Sequence, residues 1–282
     1  MKQFKSFFKT VDSRKFNTWC RWTNRLDTYG CGCSHDCNYC YAKSLLNFRG
    51  LWKPDTPSIA DIKEIERKVK TLPEGTVVRL GGMTDCFQPI ELTHRVTYET
   101  IKILNKYGIE YLIVTKSHLV ATPEYMEILD KNLSHIQITI TTTDDELCKT
   151  YEKASPPSER IKAIETLYEN GFDVGVRLSP FIPEFVDIEK VNSIKCNKIL
   201  IEFLKVNGWI KKWFDIDYNE YTLKFGGYSH LPLEKKIELV NLITGFEQVT
   251  VGEYVKEHYE YFRDNVNYNK DDCCNLRISK KG

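Results

Sequence analysis

Short apolar runs alternate with longer amphipathic stretches along most of the chain. The apolar runs are rich in Val, Ile and Leu and are bounded by Gly, Asn, Asp or Pro, which is typical of strands; they lie at 77–82, 110–115, 135–140, 173–179 and 197–204. The amphipathic stretches repeat their apolar residues every three or four positions, which is typical of helices; they lie at 58–72, 92–108, 122–132 and 157–171.

A first strand near Leu26–Gly30 completes about six βα units. Strict alternation favours a parallel sheet with helices outside it, so the predicted fold is α/β, a partial parallel (β/α)6 TIM-like barrel with a C-terminal extension. In such a barrel the chemistry lies on the loops that follow the strands. We predict an N-terminal extension over 1–25, the barrel over 26–205, and an extension over 206–282 that packs on the barrel and contains a further helix at 232–244.

Composition narrows the class of protein. The 282 residues are 41% hydrophobic and 28% charged, as in globular proteins. Forty basic residues against 39 acidic ones leave a net charge of +1, which gives no support to a strongly basic nucleic-acid-binding protein, although a local basic patch stays open. No apolar run reaches membrane-helix length, and the amino terminus is too polar for a signal peptide. We therefore expect a cytoplasmic protein with no membrane partner.

The ten cysteines are unevenly placed. Without a secretion signal, clustered cysteines indicate metal or redox chemistry before disulfides. Cys33, Cys37 and Cys40 form a C-x3-C-x2-C pattern in which each thiolate can bind one corner of an iron–sulfur cube. Three cysteines leave one iron without a protein ligand, and an open metal position is where a substrate or cofactor binds. Tyr39 would place an aromatic ring and a carbonyl beside that iron.

Two alternatives remain open at this point. One alternative is a zinc knuckle with Cys31 or His35 as fourth ligand, although zinc sites more usually pair a C-x2-C with a distant knuckle. The protein would then be a non-catalytic zinc-stabilised interaction module, or, with a cluster, an iron–sulfur redox sensor or electron carrier. A second cluster on Cys20, Cys31, Cys273 and Cys274 is also conceivable, but no spacing rule supports that set.

The cysteine loop resembles the signature of the radical S-adenosylmethionine (SAM) superfamily, and its wider context resembles the spore photoproduct lyase-like branch, often described as DNA repair photolyase-like proteins. The resemblance runs from about residue 27 to 190. The matching positions are Cys33, His35, Cys37, Tyr39, Cys40, Tyr41 and Ala42, then Thr84, Asp85, Gln88, Pro89 and Glu91, then Thr115, Lys116 and Ser117, and finally the segment 155–184.

The resemblance implies an enzyme with a 4Fe–4S cluster and SAM as cofactors. The amino and carboxylate groups of SAM would chelate the open iron, and one electron from the reduced cluster would yield methionine and a 5′-deoxyadenosyl radical that abstracts hydrogen from an unidentified substrate. A flavodoxin- or ferredoxin-type protein would supply the electron. For the substrate, the branch suggests nucleic acid, and this inference rests on analogy with the family alone.

The same resemblance suggests the cofactor contacts. Gly81 and Gly82 would let the methionine amino group approach the backbone, although a simple turn explains a Gly-Gly pair equally well. Lys116, with Ser117 beside it, would pair with the SAM carboxylate, whereas a strand-end Lys is otherwise usually solvated. Thr141 would bond the ribose or the methionine moiety, with an ordinary polar turn as the alternative.

Two further residues carry weaker expectations. Arg177 lies within an apolar strand, where a buried side chain would need a ligand carboxylate or an Asp or Glu partner, and an outward-facing structural ion pair is the simpler interpretation. Spore photoproduct lyase uses a cysteine near the Thr84–Asp85 position as a hydrogen-atom donor. The corresponding catalytic candidate here is Cys86, which is displaced from that position and is otherwise a small buried residue.

Overall fold

The computed structural model describes residues 8–11 and 19–277. The strands in chain order are β1 (Phe8–Thr10), β2 (Asn24–Leu26), β3 (Tyr29–Gly30), β4 (Ser58–Ile59), β5 (Val77–Leu80), β6 (Glu110–Thr115), β7 (Ser134–Ile140), β8 (Asp173–Phe181), β9 (Lys198–Phe203), β10 (Leu223–Phe225), β11 (Tyr228–His230) and β12 (Gln248–Val251). The α-helices are α1 (Tyr41–Phe48), α2 (Ile62–Val69), α3 (Glu91–His94), α4 (Val96–Lys106), α5 (Pro123–Ile128), α6 (Asp145–Lys149), α7 (Pro157–Glu169), α8 (Ile188–Asn192), α9 (Gly208–Trp213), α10 (Leu233–Asn241) and α11 (Lys256–Asn265).

Eight strands form the main sheet, in the order β1-β2-β5-β6-β7-β8-β9-β12. From β2 to β12 neighbouring strands run parallel, and β1 adds to β2 in the antiparallel sense. Within the described ranges β1 and β12 do not pair with each other, so the sheet stays open. The prediction of a partial TIM-like barrel is confirmed.

The strands that position the site follow the predicted apolar runs closely, with two differences. The predicted first strand is split: Asn24–Leu26 joins the main sheet, whereas Tyr29–Gly30 pairs with Ser58–Ile59 in a separate two-stranded sheet. The sheet also has a seventh parallel strand that the pattern did not predict, β12, whose Gln248 lies opposite Lys198 of β9.

The helix predicted over 92–108 is divided into α3 and α4 because of Glu91. Its buried carboxylate accepts the backbone N–H groups of Thr97 and Tyr98, both at 2.9 Å, which are donors of the first turn of α4. Such donors have no partner within their own helix, so an acceptor at this place stabilises a helix start. Arg95, between the two helices, takes a left-handed conformation with φ of 54°.

The two faces of the sheet differ in polarity. In β7, Ile136, Ile138 and Ile140 belong to the hydrophobic core. The alternate residues face the other way, since side-chain direction alternates along a strand. Of these, His135 bonds to Asp173 and Gln137 donates to the carbonyl of Cys274. On β7 the inner face of the barrel is therefore polar, whereas on β6 the same face carries Leu112, which belongs to a small second hydrophobic cluster. Among the helices of the described ranges, none is long and apolar enough to cross a membrane.

The end of the described chain crosses the amino ends of the strands. The backbone N–H of Arg277 donates to Asp173 at 3.1 Å, and the ammonium of Lys198 donates to the carbonyl of Asn275 at 3.2 Å. The Asn275 amide in turn donates to Gln248 at 2.9 Å. Because these partners begin β8, β9 and β12, the tail covers the floor of the barrel and leaves the carboxyl ends of the strands for the site.

Candidate metal centre

Cys33, Cys37 and Cys40 lie on one loop between β3 and α1. Cys33 and Cys37 are buried, with 9% and 7% of their surface exposed, and none of the three forms a disulfide. The N–H of Asp36 donates to the Cys33 carbonyl at 3.1 Å, and that of Cys40 donates to the Cys37 carbonyl at 3.2 Å, so two turns separate the cysteines. Cys40 caps α1, and its Sγ accepts the N–H of Lys43 at 3.5 Å.

Residues from two different βα units hold this loop. The buried amide oxygen of Gln88 accepts the N–H of Ser34 at 3.0 Å. The carbonyl of His35 accepts the N–H of Lys153 at 2.7 Å, and the carbonyl of Tyr151 accepts that of Asn38 at 2.9 Å. The loop is thus fixed from the β5 side and from the segment that follows α6.

Asp85 connects the loop to the end of β6. Its carboxylate accepts the N–H of Lys116 at 2.7 Å, the N–H of Phe87 at 2.8 Å and the hydroxyl of Thr115 at 2.7 Å, and it lies 3.4 Å from His35 Nδ1. Burial alone would raise the pKa of Asp85, but His35 and the two backbone donors outweigh burial and lower the pKa to about 2. Asp85 is therefore an anion that orders the strand end beside the loop.

Lys116 brings a cation to the loop. Its ammonium lies 5.6 Å from the centre of the Tyr39 ring, and in the described part of the chain no carboxylate lies within ion-pair distance of it. Burial alone would lower the pKa of Lys116, but the nearby Cys37 and Glu152 outweigh burial and raise the pKa. A largely buried charge needs a partner, so this ammonium is suited to an anionic group of a ligand.

A buried carboxylate, Glu152, lies beneath Tyr39 and Lys116. It forms an ion pair with Arg160, in which both side chains are fully buried, and accepts the hydroxyl of Tyr39. Burial alone would raise the pKa of Glu152, but the charges of Arg160 and Lys116 and the Tyr39 hydroxyl lower it to about 2. Thr141 also donates to Glu152, at 3.2 Å, so its hydroxyl is part of this network. Its contact with SAM stays a prediction.

The two predicted glycines fit closely against the protein. Gly81 has a φ of +79°, and a Cβ there would lie 3.0 Å from the carbonyl oxygen of Val114. At Gly82 a Cβ would lie 2.0 Å from Cδ of Arg25. The Gly82 N–H donates to Asp27 at 2.9 Å. These contacts account for both glycines locally, and their contact with the SAM amino group stays a prediction.

The remaining predicted contacts also have partners within the chain. Arg177 pairs with Glu202 and donates to Gln137, both at 2.6 Å. The ion pair favoured from sequence is present, but the side chain is buried and does not face outward as expected. Ser117 accepts the N–H of Leu119 at 3.3 Å and caps a short 3-10 helix. Whether either residue also contacts SAM stays a prediction.

Cys86, the predicted hydrogen-atom donor, is fully buried in the hydrophobic core. Its carbonyl accepts the hydroxyl of Thr97 at 2.6 Å, and burial raises the pKa of its thiol. Such an environment is typical of a packing residue. The donor role of Cys86 stays a prediction.

The chemistry of the loop fits an iron–sulfur group. Burial and the neighbouring Asp85 raise the pKa of Cys33 to about 12, and burial and Glu152 raise the pKa of Cys37. These thiols therefore ionise only when a bound cation compensates the charge. In a cluster each cysteine binds a different iron, which suits three thiols spread along one loop.

Sequence reasoning quoted Asp85, Gln88 and Glu91 as matching positions but assigned them no structural role. Glu152 and Arg160 were not named as site residues at all, because Glu and Arg are rarely fully buried and a polar stretch gives no sign of their pairing. The advance indications were the motif around Gln88 and Glu91 and, for Arg160, its place in the matching segment 155–184.

Comparison with known proteins identifies the class. The model of the Radical SAM superfamily matches residues 28–195, and the chain belongs to this superfamily. Membership implies an iron–sulfur cluster and SAM. An uncharacterized protein of Methanocaldococcus jannaschii is 32% identical over 170 residues, which cover 57% of this chain and 61% of the relative. An uncharacterized protein of Mycobacterium tuberculosis is 24% identical over 202 residues, which cover 65% of this chain and 59% of the relative. The match thus spans about three-fifths of these relatives.

Among solved structures, spore photoproduct lyase complexed with dinucleoside spore photoproduct has a TM-score of 0.63 at 14% identity, covering 88% of this chain and 80% of the lyase. The structure of anSMEcpe with bound AdoMet has a TM-score of 0.53 at 12% identity, covering 86% of this chain and 66% of that protein. At these identities the likeness concerns the fold. Both the superfamily and the spore photoproduct lyase-like fold expected from the cysteine loop are therefore confirmed.

Proposed function

We propose that this chain is a radical SAM enzyme that abstracts hydrogen from its substrate, with a 4Fe–4S cluster held by Cys33, Cys37 and Cys40. One observation carries the proposal: three thiols on one fixed loop lie beside Lys116, a cation with no carboxylate partner in the described ranges. An iron–sulfur centre that served only in electron transfer would need the thiols but not the cation.

The residues of the chain have separate roles in this proposal. When bound, the cluster and SAM would supply the one-electron chemistry that starts hydrogen abstraction. Lys116 binds the SAM carboxylate, and the backbone at Gly81 and Gly82 receives the amino end. Tyr39, held by Glu152, forms a rigid aromatic wall beside Lys116. Rigid supports of this kind keep a reactive species oriented and away from water.

For the substrate we propose a nucleoside-containing molecule. Solved spore photoproduct lyase of similar fold binds dinucleoside spore photoproduct. In this chain a cavity of about 480 Å³ lies between the α9 region and the β10–β11 hairpin, and its lining includes Lys211, Lys224, Phe225 and Tyr228. Aromatic rings that stack on bases and lysines that contact phosphates are the usual means of holding single-stranded nucleic acid. A flavodoxin- or ferredoxin-type protein is the proposed reductant.

The cluster and SAM can be tested by spectroscopy. The full chain is reconstituted anaerobically with iron and sulfide and compared with Cys37→Ala. We expect about four irons and four sulfides per chain in the wild type and a loss in the variant. Addition of SAM should change the electron paramagnetic resonance spectrum of the reduced protein. A cluster whose spectrum does not change when SAM is added would support the redox sensor or electron carrier. Loop cysteines that bind zinc but no iron would contradict the proposal.

The substrate class is tested separately by fluorescence anisotropy with a short labelled single-stranded oligonucleotide. The double variant Lys211→Ala, Lys224→Ala should bind at least about tenfold more weakly than the wild type, since each lysine contributes a phosphate contact. Lys63→Ala removes an exposed lysine of α2 and is the matched control. Equal affinity of the double variant and the control would contradict the nucleoside proposal and leave the radical chemistry intact.

A further inference from the structure

A second group of thiols lies apart from the cysteine loop, at the floor of the barrel. The Sγ atoms of Cys20, Cys273 and Cys274 all lie within 4.8 Å of one another. Those of Cys20 and Cys273 are 2.8 Å apart although 253 positions separate the residues in the sequence. Cys31, the fourth cysteine of the second cluster considered from sequence, is not in this group.

The two segments that carry these thiols are fixed without them. The N–H of Cys273 donates to the carbonyl of Trp19 at 2.7 Å. The carboxylate of Asp272 accepts the N–H groups of Arg21 at 3.0 Å, Cys274 at 3.1 Å and Leu276 at 2.9 Å. The thiols are therefore held together by backbone contacts on both sides, which is the preorganisation that a metal site needs.

The spacing of the thiols fits one metal ion better than a cluster. With zinc–sulfur bonds of about 2.3 Å, two thiolates of a tetrahedral site lie about 3.8 Å apart. All three Sγ atoms lie within 4.8 Å of one another, and the Cys20 and Cys273 atoms, 2.8 Å apart, would separate by about 1 Å to share one ion. In an iron–sulfur cube each cysteine binds a different iron, so its sulfurs stand further apart. A disulfide would use only two of the three thiols.

The surroundings suit a negatively charged metal–thiolate group. Cys273 and Cys274 are 6% and 8% exposed. They pack with Trp22, Tyr259 and other side chains of a small hydrophobic cluster. Three thiolates around a divalent cation carry one net negative charge. The guanidinium of Arg177 interacts electrostatically with both buried cysteines, but it also pairs with Glu202, so it offsets this charge only in part.

We propose that Cys20, Cys273 and Cys274 bind one thiophilic divalent cation, zinc, which ties the segment before β2 to the chain end beneath the barrel. Three S–H bonds break and three zinc–sulfur bonds form, and the three protons pass to solvent. No oxidant or reductant is needed. The three thiols leave the fourth position of the ion to water. The role of the ion in this proposal is to hold the two segments together, and it is independent of the radical chemistry proposed above.

The test uses the full chain with Cys33, Cys37 and Cys40 all changed to Ser, so that the loop cannot bind metal. Cobalt(II) titrated anaerobically should give thiolate-to-metal charge-transfer bands that saturate at one cobalt per chain and disappear when zinc is added. Cys273→Ser in this background should abolish the bands. Cys196→Ser, which removes another buried thiol outside the group, should keep them.

Stability gives a second readout that does not depend on the variants folding equally well. Zinc should raise the melting temperature of the loop variant by at least about 5 °C, and a chelator should reverse the shift. Three results would overturn the proposal: no cobalt bands in the loop variant, a Cys20–Cys273 disulfide found by peptide mass spectrometry in reductant-treated protein, or iron with sulfide in place of zinc. Because the three loop cysteines are Ser in these experiments, none of these results bears on the 4Fe–4S proposal.

Discussion

The ammonium of Lys116 lies over the ring of Tyr39, 5.6 Å from its centre, and Tyr39 stands between Cys37 and Cys40 in the sequence. Lys116 follows β6, whereas Tyr39 belongs to the loop after β3. The two residues join the strand ends to the cysteine loop. They also leave a cation beside the thiols, and the proposed contact of Lys116 with the SAM carboxylate rests on this feature.

Lys116→Met should weaken SAM binding at least about tenfold, or about 1.4 kcal/mol, because the methionine side chain keeps the packing on Tyr39 but not the charge. Isothermal titration of the reconstituted protein with SAM measures this. Lys131→Met is the control, since Lys131 also lies over a ring, 5.1 Å from the centre of Phe172, but before β7 and away from the loop. Unchanged affinity in Lys116→Met would exclude Lys116 as the carboxylate contact.

Asp85→Asn should lower both stability and iron content. The amide replaces a carboxylate that accepts three hydrogen bonds and faces His35, so we expect a loss of about 1–3 kcal/mol. Because Asp85 has a pKa of about 2, its stabilising effect is present above the unfolded pKa of about 3.9 and is lost as the pH falls towards 2.

The Asp85 prediction is checked by urea unfolding and by iron per chain after reconstitution. Asp217→Asn changes an exposed turn carboxylate and should leave both unchanged. Full iron occupancy in Asp85→Asn would show that the loop does not depend on this anchor.

Gly81→Ala should cost more stability than Gly171→Ala. Both glycines have positive φ, +79° and +76°, so alanine at either carries a conformational cost of about 1 kcal/mol or more. Only at Gly81 does the new Cβ approach another group, the Val114 carbonyl at 3.0 Å, whereas nothing lies within 4 Å at Gly171. The difference between the two variants in unfolding free energy measures the cost of the contact between the new Cβ and the Val114 carbonyl at the end of β5. Equal losses would mean that the strand end can shift.

His135 should make stability depend on pH. It lies between Asp173 at 2.5 Å and Glu110 at 3.1 Å, and although burial alone would lower its pKa, these two carboxylates raise it. A raised pKa stabilises the fold fully below the unfolded value of about 6.5, and this contribution is lost as the pH rises through the folded value. The pKa values of Glu110 and Asp173 are lowered, so their contribution is lost in acid instead.

We therefore expect His135→Gln to be less stable than the wild type at pH 6 and to show a smaller decline in unfolding free energy between pH 6.5 and 9. Urea unfolding across this range measures both effects. His94→Gln, at an exposed helix end, should follow the wild type. If the unfolding free energies of His135→Gln and His94→Gln depended on pH in the same way, the loss of stability at high pH could not be assigned to His135.

The central strands could be predicted because each is a distinct apolar run between turn residues. The run at 110–115, for example, coincides with β6. The strand β12 was missed because Gln248–Val251 is only four residues long and follows a helix that already ends in apolar residues. The break at Arg95 was also missed, since it depends on the carboxylate of Glu91 capping α4, and helical periodicity continues through it.

For the site, a local spacing rule was enough to find Cys33, Cys37 and Cys40. Contacts between residues that are distant in the sequence could not be predicted by such a rule. Glu152 and Arg160 form an ion pair although the sequence between them is typical of a solvated turn. Cys20 and Cys273 lie in contact although they come from opposite ends of the chain. Arg177 was recognised as needing a partner, and the structure supplies it as Glu202 on the neighbouring strand.

The central claim is tested most directly by the product of SAM cleavage. The reconstituted chain is reduced anaerobically with dithionite in the presence of SAM, and 5′-deoxyadenosine is quantified by liquid chromatography and mass spectrometry. The account predicts 5′-deoxyadenosine from the wild type, much less from Lys116→Met and none from Cys37→Ala. A wild type that carries the cluster but forms no more 5′-deoxyadenosine than Cys37→Ala would contradict it.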